Sequence, residues 1–303
     1  MKKTIIFSLL ILLALGASAQ RRRRAKTPPA PTPEELAEMA RQENYERKLL
    51  VTERVTFIDS ILLKKNEVMD FLYLGSESGS IATCADFFKA KDKDTLDCTL
   101  FRSQLGDKII YAKPDTSAVL HLYASEMIGQ KWSEPVMLPG LEDTLSQNYP
   151  FMLSDGTTLY YASKGEESLG GYDIFMTRWD SDSQRFFKPE NIGMPFNSQA
   201  NDYLYLVDEY NQLGWFVTDR GQSADTVCVY CFIPNETRKI YDTSTMGRDT
   251  LVALANISSI RDTWTDQEQV KEGLTRLATL RNKSQKTTKS HFHFIVNDRI
   301  TYT

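Results

Sequence analysis

From Val51 onward the chain alternates short apolar and aromatic stretches with turn residues, a pattern of strands rather than of long helices. Residues 54–63 read as a strand with Val55, Phe57, Ile61 and Leu63 on one face, and residues 66–74 as one or two helical turns. One unit then recurs. Gly106-Asp107-Lys108-Ile109-Ile110-Tyr111-Ala112 matches Asp155-Gly156-Thr157-Thr158-Leu159-Tyr160-Tyr161-Ala162, and both match Asn211-Gln212-Leu213-Gly214-Trp215-Phe216-Val217. Tyr111, Tyr161 and Phe216 stand 50 and 55 residues apart. A second landmark, Leu122-Tyr123, Ile174-Phe175 and Val229-Tyr230, recurs independently at 52 and 55. A third, Trp132-Ser133-Glu134-Pro135, is echoed at Phe186-Phe187-Lys188-Pro189. Periods of this length containing several short strands fit the blades of a β-propeller, in which each four-stranded sheet buries its faces against its neighbours.

Within the central unit each residue type has a physical role. Asp155-Gly156 makes a tight turn that needs a positive φ, and the strand after it carries Tyr161 towards the adjoining blade. Gly170-Gly171 makes the next turn, and Asp173 accepts from turn amides just before the strand that contains Phe175. Residues 189–197, rich in Gly, Pro and Asn and ending at Asn197, suit a crossing from one blade to the next, and Asp202 opens the following unit. Helices flank the repeats. Thr32-Pro33-Glu34-Glu35 sets a capping Thr, a first-turn Pro and a Glu that reaches back to the cap, starting a helix that runs to about Leu50. Thr265 with Glu268 reads as a second capping box, with Val270, Leu274, Leu277 and Ala278 on one helix face. A strand over residues 291–303 reads either as the last piece of a ring closed by pairing with N-terminal material, the favoured expectation, or as a sign of truncation.

The N-terminus changes the picture. Lys2 and Lys3 precede an apolar run over residues 5–15 and then Ala17-Ser18-Ala19, the layout of a secretory signal peptide cleaved after Ala19. The run is half the roughly 20 residues that a spanning helix needs. No cysteine follows the small residues, so lipid attachment at a new N-terminal Cys is not expected. The division that results is a signal peptide over 1–19, an arm and helix over 20–50, and a mainly β propeller domain over 51–303. Within that domain the repeats are clear over 100–239, a helix spans 265–282 and the terminal strand spans 291–303. Net charge is −4, which gives no global pull towards nucleic acid but conceals Arg21-Arg22-Arg23-Arg24 with Lys26, followed by Pro28, Pro29, Pro31 and Pro33. This arm has nothing apolar to bury. It reads either as a solvated spacer or as a clamp for anionic lipid head groups, each basic side chain adding roughly 1 kcal/mol near a membrane surface.

The repeats resemble the WD-like propeller repeats of the TolB kind found in exported proteins of Gram-negative bacteria. The resemblance rests on Asn148-Tyr149-Pro150-Phe151, Ser154-Asp155-Gly156, Leu159-Tyr160-Tyr161-Ala162-Ser163, Gly170-Gly171-Tyr172-Asp173-Ile174-Phe175 and Asn191-Ile192-Gly193-Met194-Pro195-Phe196-Asn197. It continues weakly at Asn201-Asp202-Tyr203. It implies a periplasmic or outer-membrane-associated scaffold, of the sort that includes accessory parts of type IX secretion machinery, with envelope proteins as partners. No OmpA-like domain or tetratricopeptide array accompanies the repeats.

Candidate chemistry is sparse. Of His121, His291 and His293 none lies in a metal-ligand or nucleophile motif; His291 and His293 share a strand face but lack a third ligand. Gly75-Ser76-Glu77-Ser78-Gly79 carries Glu77 where a nucleophile elbow needs serine. Cys228-Val229-Tyr230-Cys231 has redox spacing but sits in a strand, where positions three apart face opposite sides, so structural thiols are expected. Cys84 and Cys98 flank a charged loop and could be bridged in an oxidising compartment. Asp155, Asp173 and Asp202 suit turns better than acid/base work, and Tyr149, Tyr172, Tyr203 and Trp215 suit packing better than ligand stacking. No catalytic set, metal site or cofactor motif emerges.

Two classes remain: a non-enzymatic scaffold that docks envelope proteins, or a binder or hydrolase of carbohydrate or peptidoglycan that uses the propeller channel. An exposed apolar patch favours the first, and carboxylates converging on a channel favour the second. Mass spectrometry of the intact exported protein is expected to place its first residue at Gln20; Met1 retained on cytoplasmic material would overturn the export reading.

Overall fold

In the computed structural model, residues 31–89, 98–141, 145–165, 167–289, 294–297 and 300–302 are described. The expected signal peptide, Arg21, Arg22, Arg23 and Arg24, and His291 with His293 lie outside them. The chain divides into two compact units, 1–39 and 40–303. In the first, Thr32 Oγ1 accepts from the Glu35 amide and Glu35 Oε2 accepts from the Thr32 amide at 2.7 Å, the reciprocal cap expected at the start of α1 (Pro33–Leu50).

The second unit is mainly β, with several antiparallel sheets and a few short helices. It opens with β1 (Thr56–Lys64), which belongs to the last of three large sheets. The first sheet holds β2 (Ser80–Thr83), β3 (Thr99–Arg102), β4 (Lys108–Pro114), β5 (Leu120–Ile128), β6 (Lys131–Trp132) and β7 (Val136–Met137). The second holds β8 (Gln147–Met152), β9 (Thr158–Ser163), β10 (Asp173–Asp180), β11 (Arg185–Phe186) and β12 (Glu190–Asn191). The third is ordered β1, β15 (Thr226–Ile233), β14 (Leu213–Thr218), β13 (Asp202–Asp208). Helix α2 (Cys84–Phe88) follows β2, and α3 (Arg248–Ala255) and α4 (Gln267–Lys289) follow β15.

The recurring landmarks acquire a structural meaning in the strand register. Tyr111 lies opposite Tyr123, Tyr161 opposite Phe175, and Phe216 opposite Tyr230. Each unit therefore carries one aromatic cross-strand pair at the same place in its second hairpin, a contact worth roughly 0.2–1 kcal/mol relative to alanines. Pro135 separates β6 from β7, and Pro189 separates β11 from β12. A residue without an N–H cannot continue a ladder, so the outer strand beside β5 and the one beside β10 are each split into short edge pieces.

The third sheet is completed differently. β1 pairs with β15 from Thr56 opposite Ile233 to Lys64 opposite Thr226. Its outer edge is partly covered: Thr263 Oγ1 accepts from the Phe57 amide at 3.1 Å, and Trp264 Nε1 donates to the Phe57 carbonyl at 2.7 Å. The terminal segment does not take this place, contrary to expectation. Phe294–Asn297 pairs with Ile300–Tyr302 as a hairpin, so the single strand expected over 291–303 is divided. Nor does Thr265 cap α4. The Asp266 carboxylate does, accepting from the amides of Glu268 and Gln269 at 3.0 and 3.1 Å, and the buried stripe runs through Val270, Leu277 and Leu280 while Leu274 stays exposed. A carboxylate one residue closer to the helix satisfies the orphan amides that the threonine would otherwise serve.

One apolar core runs through all three large sheets, with Ile110, Phe151, Leu159, Ile174, Leu204, Phe216 and Phe57 buried in it. Phe101 meets Phe151 edge to face at 5.3 Å between the first and second sheets, and Tyr160 meets Tyr205 at 4.6 Å between the second and third. A smaller cluster of Leu49, Met194, Leu251 and Ala255 joins the end of α1 to α3.

Two glycines of the central motif serve different ends. Gly156 has φ +66° with open space where a side chain would stand, and Asp155 Oδ1 accepts from the amides of Thr157 and Thr158 around it. Gly170 has no positive φ; a Cβ there would meet the Gln199 carbonyl oxygen at 2.2 Å, and one on Gly171 would meet Asn201 Oδ1 at 2.0 Å. Close approach to the next connection, not turn freedom, is what Gly170 and Gly171 provide. Gly156→Ala should therefore cost about 1 kcal/mol through backbone strain alone. Gly170→Ala should cost roughly 1–3 kcal/mol or more, because backbone must shift. Chemical denaturation of the two variants checks the order, and an equal loss would contradict it.

Candidate functional site

The sequence-predicted motif residues gather where the second sheet meets the third. Asp173, fully buried at the start of β10, accepts through Oδ2 from the Leu169 amide at 3.0 Å and from Asn191 Nδ2 at 2.7 Å. Asn197 binds the backbone of Ile174 in both directions, accepting from its N–H at 2.7 Å and donating to its carbonyl at 2.8 Å, as a neighbouring strand would. Asp202 accepts from the Ser198 amide at 2.7 Å and pairs with Arg220 at 2.8 Å. Arg220 also donates to the carbonyls of Pro195 and Phe196 and lies over the Phe216 ring at 5.3 Å. Pro150 is buried where the pairing of β8 with β9 shifts register, a position that asks for no ladder donor.

These groups bind one another and the backbone of the connection between the two sheets. Burial pushes the Asp173 carboxyl up to about 7, helped by the neighbouring Asp202 charge and opposed by its hydrogen bonds to Leu169 and Asn191 and by Lys48. Burial in turn holds the Lys48 ammonium below the usual lysine range, against the pull of Glu167 and Asp173. Asp173 Oδ1 has no hydrogen-bond partner among the described residues.

The other candidates separate. Cys84 and Cys98 are bridged, with Cα atoms 5.5 Å apart. Cys228 and Cys231 are free, buried in β15, and both thiols are pushed up by burial, which suits packing rather than redox work. His121 is buried with Nε2 3.3 Å from Asp115 Oδ2. Among the described residues no group of three or more His, Cys, Asp or Glu could hold a metal ion. Gly75-Ser76-Glu77-Ser78-Gly79 contains a short 3-10 turn, Ser76–Ser78. Trp215, Tyr149 and Tyr203 are buried, and Tyr149, Tyr172 and Tyr203 contact one another with ring centroids 5.4 to 6.4 Å apart.

The concave surface lies elsewhere, between the first and second sheets. Two adjoining cavities of about 430 and 410 Å³ share Lys108, Glu126, Met152 and Gly156 and so form one groove. On one side its wall is apolar: Val136 and Met137 of β7 are 66% and 46% exposed, over a floor of Phe186 and Trp179. Leu105, 83% exposed, lies at the far end of the groove, and Phe187, 56% exposed, lines a separate neighbouring cavity. The other end carries Glu77, Asp107 and Glu126 against a single cation, Lys108. Sequence reading missed this groove. The Trp132 and Phe186 landmarks mark the strands that rim it, but exposure of the residues after Pro135 depends on what the second sheet leaves uncovered. Comparison of the chain with protein-family profiles, with curated proteins and with solved structures returns no match.

The raised Asp173 pKa carries a sign. The folded state holds its proton more tightly than the unfolded chain does, so the contribution of Asp173 to stability is present below the ordinary carboxylate range and lost as pH rises through about 7. In Asp173→Asn the amide oxygen can keep both hydrogen bonds. The variant is expected to gain melting temperature relative to the wild type as pH rises from about 4 to about 8. Parallel melting curves across that range would show that Asp173 does not titrate there.

Proposed function

We propose that the protein is an exported, non-enzymatic scaffold of the propeller type. In this reading each large sheet is a blade, and the groove between the first two docks an extended segment of an envelope protein. The observation that carries the reading is the exposed apolar wall of Val136 and Met137 over Trp179 and Phe186. Apolar side chains in such numbers at one concavity mark a contact surface more often than chance exposure. The three carboxylates at the other end, against one lysine, define the partner: apolar side chains interleaved with Lys or Arg. The in-phase aromatic pairs of the three units support the blade reading. The leader-like N-terminus and the Cys84–Cys98 bridge support export, since disulfides persist in oxidising compartments.

A fluorescent peptide of alternating valine and lysine tests this on the purified mature chain by anisotropy. It should bind more weakly as salt is raised, while valine/glutamate and serine/lysine peptides should bind at least about tenfold more weakly. Replacing Val136 and Met137 by Ser should weaken the first peptide by about tenfold without lowering the melting temperature. Equal binding of the three peptides, or no effect of the double substitution, would overturn the docking assignment.

A further inference from the structure

A second concavity, about 280 Å³, lies between the second and third sheets and plays no part in the docking groove. Its floor is aromatic. Tyr160 of β9 meets Tyr205 of β13 at 4.6 Å with the rings tilted by 38°, and Tyr205 meets Phe196 at 4.8 Å and Phe232 of β15 at 5.4 Å. The hydroxyls of Tyr160 and Tyr205 make no hydrogen bond to any described residue. The rim is charged, with Glu53, Glu190 and Glu236 set beside Arg178 and Arg238.

Five charges of both signs line one small cavity, yet among the described residues no ion pair within 4.0 Å joins any two of them. Glu53 is held by Asn235 Nδ2 at 2.9 Å, and Arg238 reaches the Val51 carbonyl at 3.2 Å. Arg178, Glu190 and Glu236 have no side-chain hydrogen bond to a described residue. Glu53 is the most enclosed of the acids, and burial holds its carboxyl above the usual range, so it has the most to gain from an arriving cation.

A ligand with one charge would be drawn to one set of these groups and repelled by the other. A small molecule carrying both charges a few bonds apart satisfies both sets at once, and an apolar substituent on it would lie on the aromatic floor. The cavity is just below the roughly 300–1,000 Å³ typical of drug-sized ligands, which suits a smaller molecule. We infer that this pocket binds a free α-amino acid with a large apolar side chain, its carboxylate towards Arg178 and Arg238 and its ammonium towards Glu53. The phenol groups of Tyr160 and Tyr205 supply further hydrogen bonds to the same head group.

Calorimetric titration of the full mature chain with L-phenylalanine and L-leucine tests the assignment. At least one should bind saturably, and its N-acetyl and amide derivatives, each lacking one charge, should bind at least about tenfold more weakly. Arg178→Gln and Glu53→Gln should each weaken the free amino acid by about tenfold at unchanged melting temperature. Gln at position 53 keeps an acceptor for Asn235, and Arg178 is exposed and makes no side-chain hydrogen bond to a described residue. Replacing Val136 and Met137 by Ser should leave this binding intact, which separates the pocket from the docking groove. Absence of saturable binding by both amino acids, equal binding of free and capped forms, or indifference to both single substitutions would overturn the proposal.

Discussion

Arg220 carries a full charge into the junction of the second and third sheets, where its side chain is 10% exposed and that of its partner Asp202 is wholly buried. Such a charge is tolerable only if every donor finds an acceptor, because removing one partner of a buried pair costs about 3–5 kcal/mol. The guanidinium comes close to this condition, with Asp202, the carbonyls of Pro195 and Phe196, and the Thr218 hydroxyl together accepting from four of its five N–H groups. The connection between the sheets is therefore held at several points by one side chain, which ties it to β13 and β14. Asn197 and Asp173 carry hydrogen bonding on to the head of β10, where Asp173 uses only Oδ2.

Around that junction the fold solves the problem of sheet edges unequally. Pro135 and Pro189 split the outer strands of the first two sheets into pieces too short to recruit another chain by ladder pairing alone. The third sheet instead carries the nine-residue β1, whose outer edge Thr263 and Trp264 partly occupy. Splitting an edge has a consequence beyond protection. Where β7 is only two residues long, its side chains are not buried by a continuing strand, and the apolar wall of the groove is what remains.

Two concavities thus arise at the two sheet junctions, and they differ in kind because the junctions differ. Between the first and second sheets, the split edge leaves apolar side chains open to a partner. Between the second and third, the chain on either side of β1 and β15 brings Glu53 and residues 235–238 over an aromatic floor and sets charges there without pairing them. One surface suits an extended macromolecular segment, the other a compact dipolar molecule.

Much of the architecture was legible in the chain itself. Cross-strand partners in a hairpin lie at fixed sequence distances, so Tyr111 with Tyr123, Tyr161 with Phe175, and Phe216 with Tyr230 recur in phase and mark the three units. The Thr32 cap and the Asp155-Gly156 turn were legible for the same reason, since each acts over a few residues. What spans the chain was not. That β1 rather than the terminal segment completes the third sheet, that Gly170 yields to Gln199, that Asp173 is pressed by Asp202, and that Val136 stands exposed beside Phe186 all depend on pairings between distant residues. Local chemistry sets turns, caps and strand periodicity within reach of a few bonds. Burial and exposure, and with them both candidate sites, are decided only when whole sheets pack and choose which side chains lose their water.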